Sequence, residues 1–113
     1  MRELASLPKA HLHVHLESAV RWPTLREIAA ANGVAAPDPQ VPRFDGFRHF
    51  ADYNALVRSC LRRWDDFRRI AIEFCEDEAA QGTRYAEVTF TAAAHGERLG
   101  QPEMPLEAVL DGL

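Results

Sequence analysis

Two histidines and a glutamate stand at alternate positions near the start of the chain: His13, His15 and Glu17, within the run Lys9-Ala-His-Leu-His-Val-His-Leu-Glu17. Imidazole nitrogen suits zinc and its neighbours, and residues two apart on a strand project to the same side, so both rings can be brought to one ion. A bare His-x-His pair also fits two partly exposed histidines that bind nothing. The elements around the pair therefore decide how it is read.

The segment Lys9 to Leu16 alternates strictly, with Leu12, Val14 and Leu16 on one parity and His11, His13 and His15 on the other. That pattern predicts a strand with one apolar face and one face of ligand-type side chains. Pro23 then sits where a first helical turn accepts proline, Leu25, Ile28 and Ala29 fall at helical spacing, and Gly33 supplies a stop. Three prolines and an aspartate between Ala35 and Pro42 mark a loop. Two further helical stripes follow, through Phe47, Phe50, Asn54, Val57 and Leu61 and through Phe67, Ile70, Ala71, Phe74 and Cys75, with Asp65 and Asp66 near the second start. Aromatics at such spacing are expected to pack, which covers Phe47, Phe50 and Trp64. The interleaved Arg58, Arg62, Arg63, Arg68 and Arg69 are expected to form a solvated face with Asp65, Asp66 and Glu73.

A second alternating run, Arg84 to Thr91, places Ala86, Val88 and Phe90 on one side and Tyr85, Glu87, Thr89 and Thr91 on the other. Two strands separated by helices imply a parallel crossover. Ala92 to Pro105 reads as a loop, with His95, like His49 near a helix start, an exposed histidine, and Leu106 to Leu113 begins an amphipathic helix. Two parallel strands alone leave both sheet edges unpaired and one face unfilled, so a chain of this pattern is expected to continue.

Composition narrows the function classes. With 113 residues, 47% hydrophobic and 27% charged, the chain has the balance of a globular protein. A net charge of -4 with mixed signs gives no basic stripe for nucleic acid or an anionic membrane, and neither is expected as a partner. Cys60 and Cys75 fall on apolar helix faces, where free thiols rather than a disulfide are expected. Arg2 and Glu3 open no signal-peptide pattern and no apolar run approaches the ~20 residues of a membrane span, which points to the cytoplasm.

The run Leu-Pro-Lys-Ala-His-Leu-His-Val-His-Leu-Glu-Ser-Ala from Leu7 to Ala19, followed by Arg21, Pro23 and Thr24, resembles the opening of the adenosine deaminase family. Its members begin Pro-Lys-x-Glu-Leu-His-x-His-Leu-(Asp/Glu)-Gly, followed by a helix opened by Arg-Pro-x-Thr. Tyr85-Ala-Glu-Val-Thr-Phe90 is similar to the family's second-strand Tyr-x-Glu-x-Arg run, and the Phe-x-x-Phe and Asp-Phe patterns of the intervening helices agree in order. The resemblance implies the N-terminal portion, residues 1–113, of a (β/α)8 barrel. It further implies a zinc-dependent hydrolytic deamination of adenosine or a related 6-aminopurine, with a small-molecule purine nucleoside or base as the partner. It gives His13 and His15 as Zn2+ ligands, and His15 with Glu17 as substrate contacts. A helix-start carboxylate is the plainer alternative for Glu17.

Several positions depart from the family pattern. His11 stands where an acidic residue is usual, and its parity allows a core histidine or a partner that bonds to the metal pair, with a third ligand as the remaining reading. Ser18 replaces a glycine, which matters if the backbone there needs φ > 0. Thr89 replaces an arginine and Glu17 an aspartate, which leaves open relatives acting on adenine or other 6-aminopurines. No position matches the family's third histidine ligand, aspartate ligand, glutamate proton shuttle or further histidine, so no catalytic residue is assigned. Glu87, inward on the second strand, reads as a buried structural carboxylate. Two alternatives stand beside the enzyme: a non-catalytic truncated remnant that docks on a partner or does not fold stably, and another metal hydrolase that opens with His-x-His.

Overall fold

A computed structural model describes residues 4–37, 43 and 45–113. Most of the proline-rich loop and the opening Met1 to Glu3 lie outside the described residues. Strand β1 (Lys9–His15) runs into a 3-10 turn (Leu16–Ala19), then come α1 (Trp22–Ala31), α2 (Gly46–Ser59) and α3 (Trp64–Ala80). Strand β2 (Thr83–Thr89) follows, then α4 (Ala92–Leu99) and α5 (Met104–Gly112). β1 and β2 pair in parallel, as a crossover through helices requires.

Each helix has a local cause. Pro23 lies in the first turn of α1, where its missing N–H costs nothing, and Gly33 after its end takes the left-handed φ of 69° that a β-carbon would resist. α3 opens on a capping box: the Asp66 carboxylate accepts from the backbone N–H groups of Arg62 and Arg63 at 3.1 and 2.9 Å and from Asn32 Nδ2 at 2.8 Å. Asp66 is thus buried and structural, not part of a solvated acidic face. Of the expected face one pair forms, Arg69 with Glu73; the same arginine also reaches Glu27, Arg68 instead reaches Asp111, and Arg63 donates to the Ala31 carbonyl.

The core lies between the sheet and its helices. Val14 and Leu16 meet Ile28, Leu61, Phe67, Ile70, Ala71 and Phe74, joined by Ala108 and Val109 of α5, while Ala86, Val88 and Phe90 pack against the same cluster. A second cluster ties α1 to α2 through Leu25, Ala29, Val57 and Cys60. The residues between β2 and α5, expected as a loop, form α4, which ends at Gly100 with φ 68°. Cys75, expected on an apolar face, is exposed, and both cysteines are free. None of the described helices is long and apolar enough to cross a membrane.

Candidate functional site

β1 does not alternate throughout. His11 pairs with Ala86 and Val14 with Val88, so three steps on β1 match two on β2, and one residue is extra. That is the count of a β-bulge, and it coincides with His13, whose φ of 58° makes it the sole non-glycine residue with positive φ among those described. An L-residue there costs ~1–2 kcal/mol, and such strain gathers at functional sites. Before the bulge His11 turns toward α3; after it Val14 and Leu16 face the helices.

This overturns two expectations. Leu12, placed with Val14 and Leu16 on the apolar face, is 61% exposed. His11, read as a core histidine or a partner of the metal pair, turns toward α3, where its Nδ1 lies 2.8 Å from Glu78 Oε1 on the exposed edge. His13 and His15 still converge, their ring centroids 5.0 Å apart and edge to face. Both are exposed, and the pair fits two of the four ligands zinc usually takes. No third His, Cys, Asp or Glu completes a metal cluster among the described residues.

Glu17 follows in the 3-10 turn and is only 6% exposed. Its Oε2 accepts from the Thr91 backbone N–H at 3.1 Å, from the Thr91 hydroxyl, and from His95 Nε2 at 3.0 Å. Burial pushes this carboxyl up, but the bonds from His95 and Thr91 outweigh burial and hold it at about 2, below its ordinary 4.5. The carboxylate is therefore charged, buried and anchored through Oε2. No positive φ occurs at Ser18, so the turn is built without the usual glycine.

His95 is the residue that sequence reasoning missed. Expected to be exposed in a loop, it sits on α4 at 1% exposure, stacked 5.2 Å from Phe90 and edge-on 5.0 Å from Phe67. Arg98 Nη2, one turn along, lies 2.8 Å from its Nδ1 and also donates to the carbonyls of Leu61 and Arg58 beyond α2 and at its last turn. The available signal was the helix-forming triplet Ala92 to Ala94 ahead of a Gly100 stop. Glu87, expected to be a buried carboxylate, is exposed and accepts from the Tyr85 hydroxyl at 3.0 Å.

Beyond the C-terminal ends of the strands, His15, Glu17, Ser18 and Thr91 form one wall of a cavity of about 290 Å³. The other wall is the face of α2 bearing Phe47, Phe50, Ala51, Asn54 and Arg58. An adjoining space of about 260 Å³ reaches from Glu17 and Phe50 to Val20, Trp22, Leu25, Tyr53 and Val57. Phe47, Phe50 and Trp64, expected to pack, are 82%, 45% and 39% exposed, because their stripe extends past the part of α2 and α3 that the core covers. The first two line the cavity instead, with ring centroids 6.4 Å apart. His13 lies beside this cavity rather than in its wall, so His15 is the residue that links the imidazole pair to Glu17.

The model of the adenosine deaminase family matches residues 8–113. The chain is 30% identical over 116 residues to an adenine deaminase of Bordetella avium, covering 97% of this chain and 35% of that one. Among solved structures, the ADAL-IMP complex matches with a TM-score of 0.81 and 26% identity over 96% of this chain and 34% of its own. An amidohydrolase from Burkhoderia ambifaria with bound Zn matches with a TM-score of 0.75 and 30% identity over 96% of this chain and 32% of its own. The chain thus spans about a third of the length of each of these relatives. Its two parallel strands and their helices are part of the (β/α)8 barrel those deaminases share.

Proposed function

The chain belongs to the adenosine deaminase family, and from that premise we propose that it supplies the first wall of a zinc-dependent active site that removes the amino group of a 6-aminopurine by hydrolysis. The observation that carries this reading is positional: His15 and Glu17 open into one cavity beyond the C-terminal ends of parallel strands, where barrels of this class place their chemistry. His13 and His15 would hold the zinc, and a bound zinc supplies a Lewis acid that makes water nucleophilic near neutral pH. The Zn-bound relative supports the choice of metal, and the IMP complex supports a small purine compound as ligand.

The chain's own residues then divide the remaining work. Glu17, charged and anchored through Oε2, has its second oxygen to accept a bond from the substrate, and His15 lies along the same wall. Phe47 and Phe50 offer faces for a flat ring and reduce the water around it. The proton shuttle and the remaining ligands come from outside residues 1–113, which form an incomplete part of the barrel domain. Glu17 in place of aspartate and Thr89 in place of arginine favour adenine or another 6-aminopurine beside adenosine. Two free cysteines agree with a cytoplasmic setting.

The test measures metal content after dialysis and ammonia release from a panel of aminopurines, for the whole enzyme and for its His13→Ala and His15→Ala variants. The expected result is loss of zinc and of turnover in both variants. Unchanged zinc in both refutes the ligand assignment, and an enzyme inert across the panel refutes the deaminase reading.

A further inference from the structure

The Glu17 carboxylate ends a line of hydrogen bonds that starts at Arg98, one turn beyond His95 on α4. Arg98 Nη2 is 2.8 Å from His95 Nδ1, and His95 Nε2 is 3.0 Å from Glu17 Oε2. A guanidinium carries donors only, so Nδ1 must accept, and the imidazole proton must sit on Nε2, where it donates to the carboxylate. His95 is therefore a neutral Nε2–H imidazole whose tautomer is chosen by Arg98. The ring has no freedom to turn, since Phe90 stacks on one face and the Phe67 edge closes another side. Arg98 Nη2 is fixed in turn by the carbonyls of Arg58 and Leu61; its two protons serve these and Nδ1, so one proton is shared between two acceptors.

We propose that His95, held in this tautomer by Arg98, is the positioning residue that fixes the Glu17 carboxylate to meet the substrate. This rests on the deaminase reading above, in which Glu17 contacts substrate. With Oε2 committed to His95 and Thr91, recognition falls to the other oxygen, and its direction is set by the same three donors. Arg98 and Arg58 connect that direction to α2, whose Arg58 lines the opposite wall, so helix and carboxylate are placed together. His95 touches no substrate and moves no proton in this role. Its removal should weaken binding more than it slows the chemical step.

The experiment uses the whole zinc-loaded enzyme with 15N-labelled histidine and the aminopurine panel. NMR should show one histidine, absent from His95→Gln, with a pyrrole-like Nε2 and a pyridine-like Nδ1; an Nδ1–H tautomer or an imidazolium overturns the proposal. His95→Leu removes the donor and should raise KM about tenfold or more with kcat within about threefold. His95→Gln keeps both a donor and an acceptor and should restore most of the KM. Because His95 is buried and the leucine variant can fail to fold, Arg98→Met provides a second lever from the outer end of the line. It should release the tautomer preference and raise KM about threefold. Wild-type KM and tautomer in Arg98→Met, or an unchanged KM in His95→Leu while Glu17→Ala raises it, overturns the inference alone. A wild-type enzyme inert on every aminopurine overturns the deaminase reading and this inference with it.

Discussion

The two faces of the β1–β2 sheet are built from neighbouring residues and behave in opposite ways. On the helix face Val14, Leu16, Ala86 and Val88 meet Phe67, Ile70 and Phe74 in a closed core. On the other face Leu12 is 61% exposed and Tyr85 57%, with His15, Glu87 and Thr89 exposed among them. The helix face is finished by contacts within the chain. The open face holds the candidate ligands and lacks cover among the described residues. On the proposed reading stability and chemistry fall on opposite sides of the same two strands, and Glu17 borders both, buried at the strand end yet lining the cavity.

The largest expected effect concerns turnover. The 113-residue chain with zinc added should release no measurable ammonia from adenosine or adenine, because two imidazoles are half of a usual ligand set and loss of a proton shuttle alone costs ~10²–10⁴-fold. Turnover by the chain that vanishes in His15→Ala would erase the division between a finished and an unfinished face. Next in size is a pair of substitutions read by urea denaturation. Phe67→Ala on the helix face should cost about 3–5 kcal/mol, whereas Leu12→Ser on the open face should fall within about 0.5 kcal/mol. Equal losses would mean that both faces are packed.

Glu17 sharpens the comparison through pH. Its folded value of about 2 lies below the ordinary 4.5, so its contribution is fully present above pH 4.5 and is lost as pH falls toward 2. The contribution is about 3 kcal/mol, and Glu17→Gln should flatten the stability profile of the metal-free chain across that window. A profile equally steep in the variant would assign the acid sensitivity to other carboxylates. The smallest effect belongs to the edge of the sheet. His11→Ala should change stability by less than about 1 kcal/mol, since the His11 end of its pair with Glu78 is nearly half exposed, and a larger loss in a thermal melt would show that His11 is part of the core.

Much of this was legible because it depends on local pattern. The parallel strands, the helices around Leu25, Val57 and Phe67, and the pairing of His13 with His15 follow from periods of two and 3.6 read directly off the chain. The bulge was not legible, since His-Leu-His-Val-His-Leu alternates perfectly whether or not one residue is extra. α4 was hidden by Gly96 and the nearby Pro102 and Pro105, which read as loop signals although the alanines before them favour a helix. With α4 hidden, His95 could not be placed.

By itself the sequence singled out His13 and His15 as a ligand-type pair and determined that β1 and β2 run parallel. Only the tertiary structure decided that His11 and His13 face opposite sides, because one extra residue between His11 and Val14 breaks the alternation there. It also decided that Glu17 is a buried, anchored carboxylate. The donors that hold it come from Thr91 and His95, more than seventy positions along the chain, and no local pattern encodes a contact at that separation.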